Sequence, residues 1–169
     1  DLPAARHCTR FRAAFAASHR IDARFVYPLN HIRKRLEIHH PHAPEPGSGI
    51  RQAAVAVILR ERHRIPGWPE TEILFIRRAE KPGDPWSGHM AFPGGHREAS
   101  DIDLCAAAVR ETHEEIGIDL ADAVHLGPLE HVQAAPRGRP IHLIVAPHVF
   151  ELTREVTFRP NHEVAEVVW

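Results

Sequence analysis

Lysine, cysteine, methionine and tyrosine are all scarce in this chain of 169 residues. Lys34 and Lys81 are the only lysines, so the 21 basic residues are almost all Arg. Basic and acidic residues nearly cancel, at 21 and 22, giving a formal net charge of -1. That balance excludes a global electrostatic footprint for nucleic acid or for an anionic membrane surface. Cys8 and Cys105 are the only cysteines, which excludes a disulfide framework. No run approaches the roughly 18 apolar residues that mark a membrane-spanning helix, and no signal-peptide pattern is present. A reducing, cytoplasmic setting is therefore the default expectation. What is present is ordinary for a globular protein: 43% hydrophobic and 25% charged residues, in a length that fits one domain with a real core. The chain begins at Asp1 without a Met and stops at Trp169 inside a strand-like pattern, which leaves room for a longer natural protein.

Residues 1–49 differ in composition from the rest. Within 4–18, Phe11, Ala14 and Phe15 fall at helical spacing, and within 29–38 Leu29, Ile32 and Leu36 do the same. They predict amphipathic helices with Arg-rich, solvated outer faces, one of which could serve a homodimer contact. A connector follows, His39-His40-Pro41-His42-Ala43-Pro44-Glu45-Pro46-Gly47, in which proline forbids a continuing helix. Its three histidines, in a chain with 15, have no fixed scaffold and are not read as a metal site. The expected division is thus an N-terminal helical extension with its connector (1–49) and a catalytic domain (50–169).

From Arg51 the pattern turns to β. Residues 53–59 predict a buried strand, 60–70 a loop around Pro66-Gly67, and 72–76 a second strand closing on Arg77-Arg78. Residues 89–92 predict a brief strand entering Pro93-Gly94-Gly95. Strands are also expected within 124–132, 141–150 and 163–169. Between them lies a helix with Leu104, Ala108, Val109, Thr112 and Ile116 on its inner face, Asp101 or Asp103 as N-cap, and Gly117 as its stop. Cys105 falls on its apolar side, where a small buried thiol is expected. The succession predicts an α/β fold around a sheet, with this helix against one face.

That helix carries the chemistry. Glu111, Glu114 and Glu115 stand at offsets of zero, three and four, which places three carboxylates on one face with Cβ atoms roughly 5–6 Å apart. Like charges so arranged repel, and a hard divalent cation such as Mg²⁺ reverses the sign of the effect by taking carboxylate oxygens as ligands. The preceding Gly94-Gly95 is expected as a turn whose bare backbone can approach an anionic ligand. Arg110, one turn before Glu114, can hold that carboxylate and moderate the repulsion.

Arg110-Glu111-Thr112-His113-Glu114-Glu115-Ile116-Gly117-Ile118 resembles the second half of the Nudix hydrolase signature, G-x5-E-x7-R-E-U-x-E-E-x-G-U with U aliphatic. Thr112 stands at the first U, Asp101 replaces the middle Glu, and Arg110 arrives one residue late counted from Gly95. That expansion, with Leu74-Phe75-Ile76-Arg77-Arg78-Ala79 and Gly88-His89-Met90-Ala91-Phe92-Pro93-Gly94-Gly95, is similar to the coenzyme A diphosphatase branch. Ile76 stands where that branch usually has Thr, and Gly83-Asp84 lie near the place of an expected Arg. The resemblance runs from Ala53 to the end.

The resemblance implies a Nudix-type α/β/α sandwich with a mixed central sheet and hydrolysis of a diphosphate linkage. It assigns Glu111 and Glu115 as principal ligands for Mg²⁺ or Mn²⁺, with Glu114 sharing a metal or polarising water and the Gly95 carbonyl completing the coordination. The general base would be an acid of the box or a later one, with Glu163 preferred over Glu166. The substrate would be a small nucleoside-diphosphate derivative. Coenzyme A or an acyl derivative is the leading expectation, ADP-ribose, NADH or another nucleotide the alternative, and a non-catalytic nucleotide sensor a third. Arg77 or Arg78, with Arg137 and Arg139, are candidate phosphate contacts, Gly94 and Gly95 a candidate cofactor-binding backbone, and Trp86 or Phe92 an adenine platform. His89 and His113 are weaker acid–base candidates.

Overall fold

A computed structural model of the chain describes residues 27–43, 47–135 and 141–169. The helix expected within 4–18, Cys8, Arg137 and Arg139 lie outside the described residues. Strand β1 (Arg51–Ile65) is the spine of the molecule. It pairs antiparallel with β2 (Trp68–Ile73) and β5 (Gly94–His96), and parallel with β8 (Leu143–Glu151), whose outer neighbours β6 (Val124–Pro128) and β7 (Val132–Gln133) are antiparallel to it. These six strands form the mixed main sheet. Strands β3 (Phe75–Arg78), β4 (Met90–Ala91) and β9 (Val164–Val168) form a second, three-stranded sheet in the order β4-β3-β9.

Alternation along β1 and β8 decides what covers each face. Ala54, Ala56 and Ile58 of β1 join Ala146 and Phe150 of β8 under helix α2 (Leu104–Ile116), in a core that includes Ala107, Ala108 and Ile116. The opposite set, Leu59 and Val149 with Val57, packs against Leu29, Ile32 and Leu36 of helix α1 (Leu29–Glu37). Arg33 of α1 adds an ion pair to the buried Glu151 of β8. Helices on both faces of a mixed sheet make the α/β/α sandwich.

Two sequence expectations fail, each for a physical reason. The loop expected over 60–70 is instead a hairpin: β1 continues for six residues past its apolar run, to Ile65. Charge replaces apolar burial there, since Glu72 gathers Arg60, Arg62 and Arg64 across the β1–β2 pair. Against the opposing effect of burial, Arg60 and Arg64 hold the Glu72 carboxyl below its ordinary range. The strand expected over 72–76 divides at Leu74, which is fully buried and donates its N–H to the Ile58 carbonyl at 2.9 Å. The chain thus leaves the main sheet after Ile73 and enters the second at Phe75.

Helix α2 begins at Asp103, whose carboxylate accepts from the Ala106 N–H at 2.7 Å. Asp101, the other expected cap, does something else. The helix ends on Gly117 at φ 71°, a left-handed stop. Segment 159–161 then satisfies its last carbonyls, with Arg159 N–H on Ile116 and Asn161 N–H on Glu115, both at 2.8 Å. Thr112 is tolerated in the core because its hydroxyl donates to the Ala108 carbonyl at 2.7 Å. No helix among the described residues is long and apolar enough to cross a membrane.

Candidate active site

The Gly94-Gly95 pair is strand, not turn, and this corrects its expected role. In β5 it pairs with Val55 and Ala54 of β1. A Cβ on Gly94 would overlap the Ala54 carbonyl oxygen and stand 2.6 Å from Val55 Cα. Close approach is therefore consumed inside the protein. The Gly94 N–H is also taken, donating to Glu115 Oε2 at 2.9 Å, which leaves it no bond to offer a ligand. A Cβ on Gly95 would collide with the Glu111 carboxylate, whose Oε2 would be 2.7 Å away. Gly95→Ala should therefore displace Glu111 and cost about tenfold or more in turnover while the fold persists, read by activity beside circular dichroism.

Glu115 is 2% exposed, so its carboxyl has left water almost completely. Burial pushes it up to about 7, against the opposing help of the Gly94 N–H. The charges of Glu111 and Glu163 raise it further, and that of Arg78 lowers it. Burial also raises Glu111, with Arg110 opposing and Glu114 and Glu163 adding repulsion. Glu163, in the turn just before β9, is thus within electrostatic reach of both. Its own backbone is fixed, with the carbonyl accepting from Ala79 N–H at 2.7 Å.

Arg110 is the counterweight. Its Nε and Nη2 both reach Asp101, each at 3.0 Å, Nη2 also reaches the His96 carbonyl, and Nη1 lies 3.0 Å from Glu111 and 3.2 Å from Glu114. Asp101 is buried, and the Arg110 guanidinium with the Glu98 N–H holds its carboxyl well below the usual range. Asp101 is thus the anchor that aims Arg110 at the carboxylate face, a role its position before the helix did not disclose. Arg110→Lys keeps the charge but loses the two-pronged grip. It should cost about 2 kcal/mol of stability by urea denaturation and slow turnover together.

The two arginines closing β3 diverge. Arg77 pairs with Glu166 across the β3–β9 ladder at 3.3 Å, with both side chains still part-exposed. Arg78 donates to Asp84 at 3.0 Å, while its Nε is buried with no hydrogen-bond partner among the described residues. Asp84 is itself held in place by the Trp86 N–H at 2.9 Å. Phe92 stacks on Phe75 at 4.8 Å, an apolar contact and not an open platform. His89 and His113 are exposed.

The donor chemistry fits a hard divalent cation. Glu111, Glu114, Glu115 and Glu163 supply oxygen ligands in excess of the charge that Arg110 and Arg78 return, and two are destabilised as anions without a cation.

A family model for the NUDIX domain matches residues 49–169. The chain belongs to the NUDIX family. Among curated relatives it is 35% identical to an uncharacterised Nudix hydrolase, NudL, of Yersinia enterocolitica over 124 residues, 71% of this chain and 57% of that protein. It is 41% identical to an uncharacterised protein of Schizosaccharomyces pombe over 86 residues, 44% of this chain and 26% of that protein. The chain thus spans about a quarter to somewhat over half of these relatives' lengths. Its NUDIX fold is similar to a Caenorhabditis elegans Ap4A hydrolase in a binary complex (TM-score 0.57, 24% identity, 71% of this chain and 79% of that one). It is also similar to the NUDIX domain of Shewanella oneidensis NrtR in complex with ADP-ribose (TM-score 0.53, 14% identity, 76% of this chain and 77% of that one).

Proposed function

We propose that this NUDIX domain is a metal-dependent hydrolase of diphosphate linkages in nucleoside-diphosphate derivatives. Coenzyme A or acyl-coenzyme A is the substrate, giving 3′,5′-ADP and a 4′-phosphopantetheine product. The observation that carries the hydrolase reading is the Glu115 carboxyl, pushed up to about 7 by burial and grouped with Glu111 and Glu163, whose charges raise it further. Glu111, Glu115 and Glu114 would hold Mg²⁺ or Mn²⁺, with the Gly95 carbonyl a further ligand. When bound, such a metal neutralises phosphate oxygens and acidifies water.

The remaining chemistry belongs to the chain. Glu163 takes a proton from the attacking water, since its carboxylate is exposed and its backbone fixed. Arg78, part-exposed and held by Asp84, offers a guanidinium N–H to a phosphate oxygen, whereas Arg110 stays with the carboxylates and sets their orientation. Support for coenzyme A comes from the Leu74–Ala79 and Gly88–Gly95 runs and the one-residue expansion before Arg110. The missing upstream Arg, with Asp84 near its place and bonded to Arg78, favours ADP-ribose or NADH as the second reading.

Coenzyme A, ADP-ribose, NADH and dinucleoside polyphosphates, each with Mg²⁺ or Mn²⁺ in ¹⁸O water, test both levels by product mass. The ¹⁸O label identifies the phosphorus attacked. Cleavage of another member of the panel removes the coenzyme A assignment alone; cleavage of none removes the hydrolase.

A further inference from the structure

A second group of metal-ligating side chains lies on the same face of the main sheet as α2. Cys105 comes from the first turn of that helix, His125 from β6 and His148 from the centre of β8. Cys105 Sγ is 3.9 Å from His125 Nε2, and His125 Nε2 is 3.3 Å from His148 Nδ1. One ligand atom from each of the three lies within 4.8 Å of the others. Metal–ligand bonds of about 2.0–2.3 Å in a tetrahedron place ligand atoms roughly 3.3–3.8 Å apart, so a small inward movement closes the set on one ion.

We propose that Cys105, His125 and His148 form a transition-metal site, best suited to Zn²⁺, separate from the carboxylate face of α2. The donors are one sulfur and two imidazole nitrogens, a borderline-soft set that a hard cation such as Mg²⁺ does not favour. The acidic site has oxygen donors only. The fold explains why the three meet. His148 shares its face of β8 with Ala146 and Phe150, so it points under α2, and His125 pairs with Phe150, which sets it diagonally beside His148. Cys105 sits two turns before Thr112 on nearly the same helical azimuth, about 9 Å along the axis from Glu111.

His148 is 8% exposed and His125 is its only side-chain hydrogen-bond partner among the described residues. Burial pushes both imidazoles down, His148 to about 4, and pushes the Cys105 thiol up, an effect that a bound dication would have to offset. The carboxylate of Asp103, the N-cap of α2, acts electrostatically on all three residues and would help balance a bound dication. The exposed His125 at the sheet margin gives the ion a route from solvent. On binding, the Cys105 S–H bond breaks, a sulfur–metal bond forms and the proton leaves to solvent. The fourth position is left to water. The ion would tie the first turn of α2 to β6 and β8, stabilising the fold at its end away from the carboxylates.

The 169-residue protein, stripped with chelator and titrated with Co²⁺ in excess Mg²⁺, provides the test. One equivalent of Co²⁺ should give a thiolate-to-cobalt charge-transfer band, which Zn²⁺ abolishes, and Zn²⁺ should raise Tm. Cys8→Ser should keep the band and Cys105→Ser should lose it, with circular dichroism showing both folded. His125→Asn, at an exposed position, should weaken Co²⁺ binding by at least the roughly 10–100-fold that losing an outer-shell partner costs. A folded wild-type protein without the band, a band that follows Cys8, or unchanged affinity in His125→Asn would each overturn the site.

Discussion

Glu115→Gln is expected to lower Mg²⁺- or Mn²⁺-dependent turnover on the order of 10³-fold while leaving the protein folded, measured as kcat beside circular dichroism. Gln preserves shape and keeps an acceptor for the Gly94 N–H, so the strand-to-helix contact at 2.9 Å survives. Only the charge is removed. A nucleotide sensor would instead show no turnover in either form and retain its ligand affinity.

The same variant carries a stability signature. Burial raises the Glu115 carboxyl from an ordinary 4.5 to about 7, so the folded state binds the extra proton between those values. Its contribution to stability is therefore fully present below the unfolded value and is lost as pH rises through about 7. Wild-type protein in chelator should lose about 3 kcal/mol between about pH 5 and pH 8 through this group. Glu115→Gln should flatten that slope, read from urea midpoints, and should exceed the wild type at the alkaline end. Adding Mg²⁺ should restore much of the loss in the wild type and little of it in the variant. A wild-type slope unchanged by the substitution would show that the pH dependence arises elsewhere.

Gly94→Ala is expected to be the most damaging single methyl group in the domain. Gly94 has φ 150°, outside what an L side chain ordinarily adopts. Its added Cβ would run into the Ala54 carbonyl and into Val55 Cα at 2.6 Å, both of them backbone on the central strand. Neither neighbour can rotate away, so β5 must detach from β1 or β1 must bend. The cost should exceed about 4 kcal/mol, the range in which a named structural device has failed. Detaching β5 also removes the N–H that Glu115 accepts and the wall against Glu111, so stability and activity should fall together. Gly95→Ala makes the contrast. There the obstacle is a side chain, and activity should fall much further than Tm.

The carboxylate face of α2 was legible because helical spacing is local: residues at offsets three and four share a face in any α-helix. The helix stop at Gly117 was legible for the same reason. The Gly94-Gly95 pair reads as a turn from sequence because a glycine doublet signals close backbone approach without naming what approaches. Here it is β1, some forty residues earlier in sequence. Residues 61–64 give no strand signal because a strand exposed on both faces shows no alternation, and what holds it is Glu72 gathering arginines from across the hairpin. Leu74 could not announce that it divides two sheets, since its hydrogen bond to Ile58 exists only once β1 lies beside it.

Asp101 and the Cys105–His125–His148 group show the limit most clearly. Asp101 sits nine residues before Arg110, and an acid there reads equally as a cap; the fold makes it the anchor of the arginine. Cys105, His125 and His148 have no spacing that suggests a site, and only the packing of α2 across β6 and β8 brings them together. Sequence alone determined the family signature, the one-sided acidic helix and its ends, because these depend on neighbours within a turn or two of chain. Tertiary structure decided which carboxyl is buried, which arginine is already partnered and which distant side chains meet, because desolvation and long-range contacts arise only when the sheet closes under the helix.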